Sequence, residues 1–181
     1  MDIHRGLPSF QIVGLPDLAV REARERVRAA LVNTGFEFPM RRITANLAPA
    51  DLRKAGPGMD LALASGLLAA GGEIPGAELA GWALAGELAL DGSVRPVRGA
   101  LAMAEAARAQ DCRGIILPEA NGPEAALAPG VEVRTISSIA ELRGLERGLI
   151  PGSRAETAEL VEAPALPDLR DLRGQQGLRR A

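Results

Sequence analysis

Polar and apolar positions alternate along Ser9-Phe10-Gln11-Ile12-Val13 and stop at Gly14, a period of two that predicts a strand. Behind it, Leu15-Pro16-Asp17 opens a helix, with an acidic group near the positive end of its dipole and Gly35 as its stop. Leu18, Ala23, Val27, Ala30 and Leu31 form its inward stripe. Arg21, Arg24 and Arg28 share the opposite face, and the interspersed Glu22 and Glu25 predict a solvated, salt-bridged surface rather than a phosphate-binding stripe. Arg42 to Leu47 is a second strand, leading into a loop dense in Pro and Gly up to Gly58. The Ala- and Leu-rich stretch 61–70, between Asp60 and Gly71-Gly72, reads as a largely buried helix.

Beyond it, Trp82 to Leu90 and Ser93 to Val97 flank Asp91-Gly92, which predicts a hairpin whose two central residues have positive φ. Gly99 to Gln110 is an Ala-rich helix, 113–118 a short buried strand, 121–124 the start of a brief helix, and Val131 to Ile136 a strand. Ser138 with Glu141 three residues later is a capping box, opening a helix to about Gly148. Strands alternating with helices give an α/β class, two layers over roughly 140 residues. From Ile150 to Pro167 the composition shifts to Pro, Ala, Glu and Ser without periodicity, which reads as a linker.

Composition sets limits on function. A chain of 181 residues buries roughly 70% of the surface its unfolded form exposes, so it needs no staples. With no Tyr, one Trp and three Phe the core must be aliphatic, which argues against aromatic platforms for single-stranded nucleic acid. One cysteine and one histidine exclude an internal disulfide and a His/Cys metal cluster. There is no apolar run of the roughly 20 residues that span a bilayer and no secretory leader, so the expected location is cytoplasmic, with no membrane partner. The net charge of −2 hides a gradient: residues 1–60 carry +2, 61–125 carry −4 and the remainder is neutral.

Catalytic apparatus is sparse. A phosphate-cradling loop needs Gly-Lys-Ser/Thr, and the only lysine, Lys54, precedes Ala55. Gly56-Pro57-Gly58 can present amides to an anion, but Asp60 at the following helix start would repel it, and a plain turn is the better reading. His4 lies near a terminus expected to fray, which leaves a Ser-Lys pair through Lys54 as the sole acyl-transfer option. Ser9 sits in a strand and Ser65 in an apolar helix, where a serine commonly bonds its own backbone.

Three long strings carry a resemblance: 5–17 (Arg5-Gly6-Leu7-Pro8 through Leu15-Pro16-Asp17), 46–54 (Asn46-Leu47-Ala48-Pro49-Ala50-Asp51-Leu52-Arg53-Lys54), and 86–99, from Gly86-Glu87 through Asp91-Gly92 to Arg98-Gly99. They resemble the N-terminal domain of the magnesium-chelatase-like AAA+ ATPases, the YifB/ComM competence family. The resemblance implies the fold of ribosomal protein S5 domain 2 and of the Lon protease domain for residues 1–148, a linker at 149–167, and at 168–181 the start of an ATPase module truncated before its phosphate loop. ATP and Mg are expected only with that module, and this chain is expected to hold no cofactor.

Matched onto the Lon-type pattern, the nucleophilic serine falls on Gly58 and the activating lysine on Leu101, so no catalytic residue is expected. Family members are hexameric, ATP-driven motors that migrate branched DNA in transformation and recombination. The resemblance therefore implies self-association in a ring and DNA as a partner. Arg41, Arg42, Arg53 and Lys54 are the candidate phosphate contacts, since cationic groups on loops reach the DNA backbone. Asp51 stands close enough in sequence to pair with Arg53 or Lys54 instead. The rival reading is a peptide-binding adaptor derived from the protease groove, with a working hydrolase a distant third.

Overall fold

The computed structural model describes residues 1–145, 150 and 152. The expected linker and truncated ATPase start at 149–181 therefore lie, apart from Ile150 and Gly152, outside the described residues.

The chain folds as a mixed α/β structure. β1 (Asp2–His4) and β2 (Ser9–Val13) flank β3 (Arg42–Asn46), β1 antiparallel and β2 parallel to it. The terminus expected to fray is thus the strand β1, and its exposed His4 Nε2 lies 2.9 Å from Asp2 Oδ2. α1 (Leu18–Asn33) supplies the β2-to-β3 crossover that a parallel pair requires. Its N-cap is Asp17, whose Oδ1 accepts from Val20 N at 2.8 Å. Val20, Ala23, Val27, Ala30 and Leu31 are buried as a 3.6-residue stripe dictates, whereas Leu18 is 70% exposed. The stripe begins at Val20, two residues later than expected.

α2 (Asp60–Gly71) follows a 3-10 turn at Pro57–Met59 and ends at Gly72 in the left-handed region. After the short α3 (Gly76–Leu79), the apolar run expected as one strand splits: β4 (Trp82–Leu84) joins β7 (Gly114–Pro118), while β5 (Glu87–Leu88) pairs with β6 (Val94–Arg95). The break falls at Gly86, where a Cβ would lie 2.6 Å from Val94 Cγ1. The hairpin turn also differs from expectation. Only Gly92 has positive φ (86°), and its amide bonds Ala89 O at 3.0 Å while Ala89 N bonds Ser93 O at 3.0 Å. This is a type I turn closed by a glycine, not the mirror-image turn.

α4 (Ala100–Ala109) precedes β7, and α5 (Gly122–Ala125) links β7 to its parallel neighbour β8 (Glu132–Ile136). Successive side chains of β7 feed different cores: Ile116 joins the cluster under α1 and α2, while Ile115 and Leu117 meet Ala104 and Ala107 of α4. The sheet β4-β7-β8 is therefore apolar on both faces, one layer more than expected around it, and this explains the unbroken apolar run in β7. The capping box forms as expected, with Ser138 and Glu141, but over a 3-10 segment, Ile139–Gly144.

Candidate functional site

The two positions matched to hydrolase machinery lie on segments that meet. A Cβ built on Gly58 would touch Val97 Cγ1 at 3.4 Å, and Val97 leads into α4, which carries Leu101. The polar groups around them are occupied. Gly58 O accepts from Gly86 N at 2.9 Å. The buried Asn121 grips Val97 through Val97 N to Oδ1 (2.9 Å) and Nδ2 to Val97 O (2.8 Å). Leu101 N donates to Glu124 Oε1 at 3.1 Å, a side-chain cap for a helix whose N-cap is Gly99.

The glycine turn before α2 is likewise committed. Gly56 N donates to Asp17 Oδ2 at 3.1 Å, and Asp17 N donates to Lys54 O at 2.9 Å. The Val20 amide, followed by the Gly56 amide and the charge of Arg53, holds the Asp17 carboxyl below its ordinary range against a smaller opposing effect of desolvation. Asp60 does not face this turn. It is fully buried and accepts from Arg26 Nε at 2.6 Å, Arg26 Nη2 at 2.9 Å and Leu88 N at 3.2 Å. Hydrogen bonding to Asp60 raises the pKa of Arg26 in turn. This bidentate pair ties α1, α2 and β5 together. The sequence hides it, because its partners stand 34 positions apart and Arg26 lies outside the arginine stripe.

Lys54 Nζ donates to Pro49 O, and no serine bonds it among the described residues. Ser65 Oγ donates to Leu61 O at 2.7 Å, the backbone bond expected of it. Asp51 forms no ion pair with Arg53 or Lys54 among the described residues. The four cationic candidates divide into two pairs. Arg41 and Arg42 stand exposed at the start of β3, with Arg42 in register with Ser9 and His4. Arg53, exposed, and Lys54, half-buried, lie past the far end of the same ladder, where Lys54 pairs with Pro16. The ladder from Arg42 to Asn46 alone separates the pairs by about 13 Å.

Sequence reasoning missed what surrounds Arg41. Arg21, Arg24 and Arg28 are exposed along α1 and, among the described residues, make none of the expected pairs with Glu22 or Glu25; Glu22 reaches Arg26 instead, at 4.0 Å. Arg24 Nη1 donates to Phe10 O at 3.2 Å, and the Arg28 guanidinium lies 5.5 Å from the centre of the Phe38 ring. A cleft of about 160 Å³ brings Arg24, Arg28 and Arg41 together over Phe10, Phe38 and Met40. A larger one of about 390 Å³ at the end of α2 is lined by Glu37, Arg41 and Glu73 over Leu67 and Leu68. Among the described residues no group of three His, Cys, Asp or Glu side chains is placed to hold a metal, and no helix is long and apolar enough to cross a membrane.

The family model described as subunit ChlI of Mg-chelatase matches residues 1–121. An uncharacterized protein of Mycobacterium tuberculosis strain H37Rv is 42% identical over 98% of the chain, which covers 35% of that protein. The uncharacterized protein YifB of Salmonella typhimurium is 41% identical over 96% of the chain and 34% of its own length. The competence protein ComM of Haemophilus influenzae is 37% identical over the whole chain and 37% of its own length. The chain thus spans about a third of the relatives it matches.

Proposed function

The chain belongs to the family of subunit ChlI of Mg-chelatase, and from that premise we propose that it is the non-catalytic N-terminal domain of a magnesium-chelatase-like AAA+ protein, serving DNA recombination as an assembly and DNA-contact module. The observation that carries the reading is the pair of positions Gly58 and Leu101. A Lon-type hydrolase needs a hydroxyl and an amine on these two segments, which Val97 joins. Glycine and leucine provide neither. Crossover-linked parallel strands around a Gly-Pro-Gly turn support the S5 domain 2-like, Lon-like fold, with the domain at 1–148. The cytoplasm is the proposed compartment.

ATP and its magnesium do not fit these residues. The turn amide that would meet a phosphate, Gly56 N, is taken by the Asp17 carboxylate, and the one lysine is engaged by Pro49. Any nucleotide chemistry belongs to residues beyond this domain, and none of the proposed role runs through it.

Assembly is supported by Leu15, Leu18 and Leu52, which are 56%, 70% and 59% exposed on segments zipped together by the Lys54 N to Leu15 O bond of 3.1 Å. DNA contact is supported by the solvent-facing Arg41, Arg42 and Arg53, and by the name of the ComM relative, a competence protein. The test is a titration of the full chain with linear and branched DNA across salt concentrations. Affinity should fall along a log–log slope of about 0.9 per phosphate contact, shallower in Arg41→Ala/Arg42→Ala and in Arg53→Ala/Lys54→Ala. A chain that stays monomeric and binds no DNA at low salt, or that binds extended peptides without salt dependence, overturns the reading.

A further inference from the structure

Resting on the DNA-contact reading, we propose that the arginine row of α1 and the cleft at its foot form a binding groove for a single strand of nucleic acid, distinct from the Arg53–Lys54 loop. On a helix rising 1.5 Å per residue, Arg21, Arg24 and Arg28 stand in line over about 10 Å, long enough to meet more than one backbone phosphate. Two hollows run beside β2, an edge strand of its sheet among the described residues. One, of about 240 Å³, lies against Gln11, Val13, Arg21 and Arg24, and the other is the cleft under Arg24, Arg28 and Arg41; they share Arg24.

The floor of the second hollow selects the ligand. Phe38 is half-buried with its ring 6.2 Å from that of Phe10, and Met40 is 65% exposed, so an apolar, polarizable surface lies among the guanidiniums. Phosphates on the arginines leave bases free to lie against this floor, which a paired and stacked duplex does not permit. An acidic peptide added as a strand is disfavoured, because the Phe10 carbonyl that such a strand would bond already accepts from Arg24. Glu25 also lines the cleft, and it is the one carboxylate among the lining residues.

Fluorescence anisotropy of a labelled short oligothymidylate with the full chain tests this. Arg21→Gln/Arg28→Gln/Arg41→Gln leaves the Arg24 bond to Phe10 intact. It should bind at least tenfold more weakly at low salt, with a log–log salt slope shallower by about 2, at 0.7 per single-strand contact. Phe38→Leu should lose about fivefold or more without changing the slope. Arg98→Gln, an exposed cation outside both hollows, should bind like the wild type, and Trp82 emission checks that each variant is folded. A triple variant with wild-type affinity and slope, or displacement of the oligonucleotide by polyglutamate at equal charge, overturns the proposal. If only Arg53→Gln/Lys54→Gln loses binding, this groove fails while DNA contact stands. If the wild type binds no oligonucleotide at low salt but retains duplex, the groove again fails alone; binding to neither sinks both.

Discussion

Replacing Asp60 by alanine tests the packing account at its most charged point. The Asp60 side chain is 1% exposed and takes three hydrogen bonds, two from Arg26 and one from Leu88 N. Removing one partner of a buried ion pair costs about 3–5 kcal/mol, because the other charge stays desolvated. Arg26 is 21% exposed, so its guanidinium retains some water and still donates to Ala19 O at 2.9 Å; this places the pair's share near the low end, about 3 kcal/mol. The orphaned Leu88 amide adds roughly 1 kcal/mol or more, and the loss of a negative charge at the start of α2 a few tenths. The expected loss is about 4 kcal/mol, a large part of a typical domain's stability and on the order of 10 °C in Tm. Urea denaturation followed by the fluorescence of Trp82, the chain's only tryptophan, measures it. Arg26→Met/Asp60→Ala should recover much of the loss, giving a coupling of at least about 2 kcal/mol in the double-mutant cycle with Arg26→Met and Asp60→Ala. A midpoint for Asp60→Ala within about 1 kcal/mol of wild type, or additive single and double variants, would refute the assignment of this pair as a buried clamp.

Gly114→Ala should destabilise by about 3 kcal/mol and shift Trp82 emission, since its Cβ would lie 2.3 Å from Glu132 O and 2.6 Å from Trp82 Cζ3 in the central strand. Arg143→Ala should cost about 1–2 kcal/mol by chemical denaturation, because Arg143 bonds Thr34 O and Gly35 O at the end of α1 and lies 3.7 Å from the Phe36 ring centre; Arg143→Lys should restore less than half. For pH, the depressed Asp17 carboxyl contributes stability that is present above its ordinary pKa of 3.8 and lost as pH falls through the lower folded value, so acid titration of Asp17→Asn should show a shallower drop below pH 3.8 than wild type.

The elements legible in the sequence were those whose periodicity follows from one buried face. β2, β3 and the stripe of α1 bury one side each, and the Asp17 and Ser138 caps announce their helices. The apolar residues of the run from Trp82 serve two different sheets, and composition does not mark the change of partner at Gly86. Helical spacing placed Arg21, Arg24 and Arg28 on one face, but it does not tell whether glutamates on that face turn toward them. The scarcity of aromatics counted against nucleic-acid stacking, yet two of the three phenylalanines, Phe10 and Phe38, lie in the cationic cleft. A count does not locate.

In the region that the resemblance matches to catalytic machinery, the backbone polar groups are engaged within the fold. An active site must leave donors and acceptors free for substrate. Here the Gly56 amide is spent on Asp17, the Gly58 carbonyl on Gly86, both polar groups of the Val97 backbone on Asn121, and the Leu101 amide on Glu124. Restoring a serine at Gly58 and a lysine at Leu101 would therefore not recreate a hydrolase by itself. A serine Cβ at Gly58 would meet Val97 Cγ1 at 3.4 Å, an ordinary contact, but the helix start would stay capped by Glu124. What this bonding favours is rigidity, the property by which a scaffold holds cationic and apolar surface groups in fixed relation to a partner.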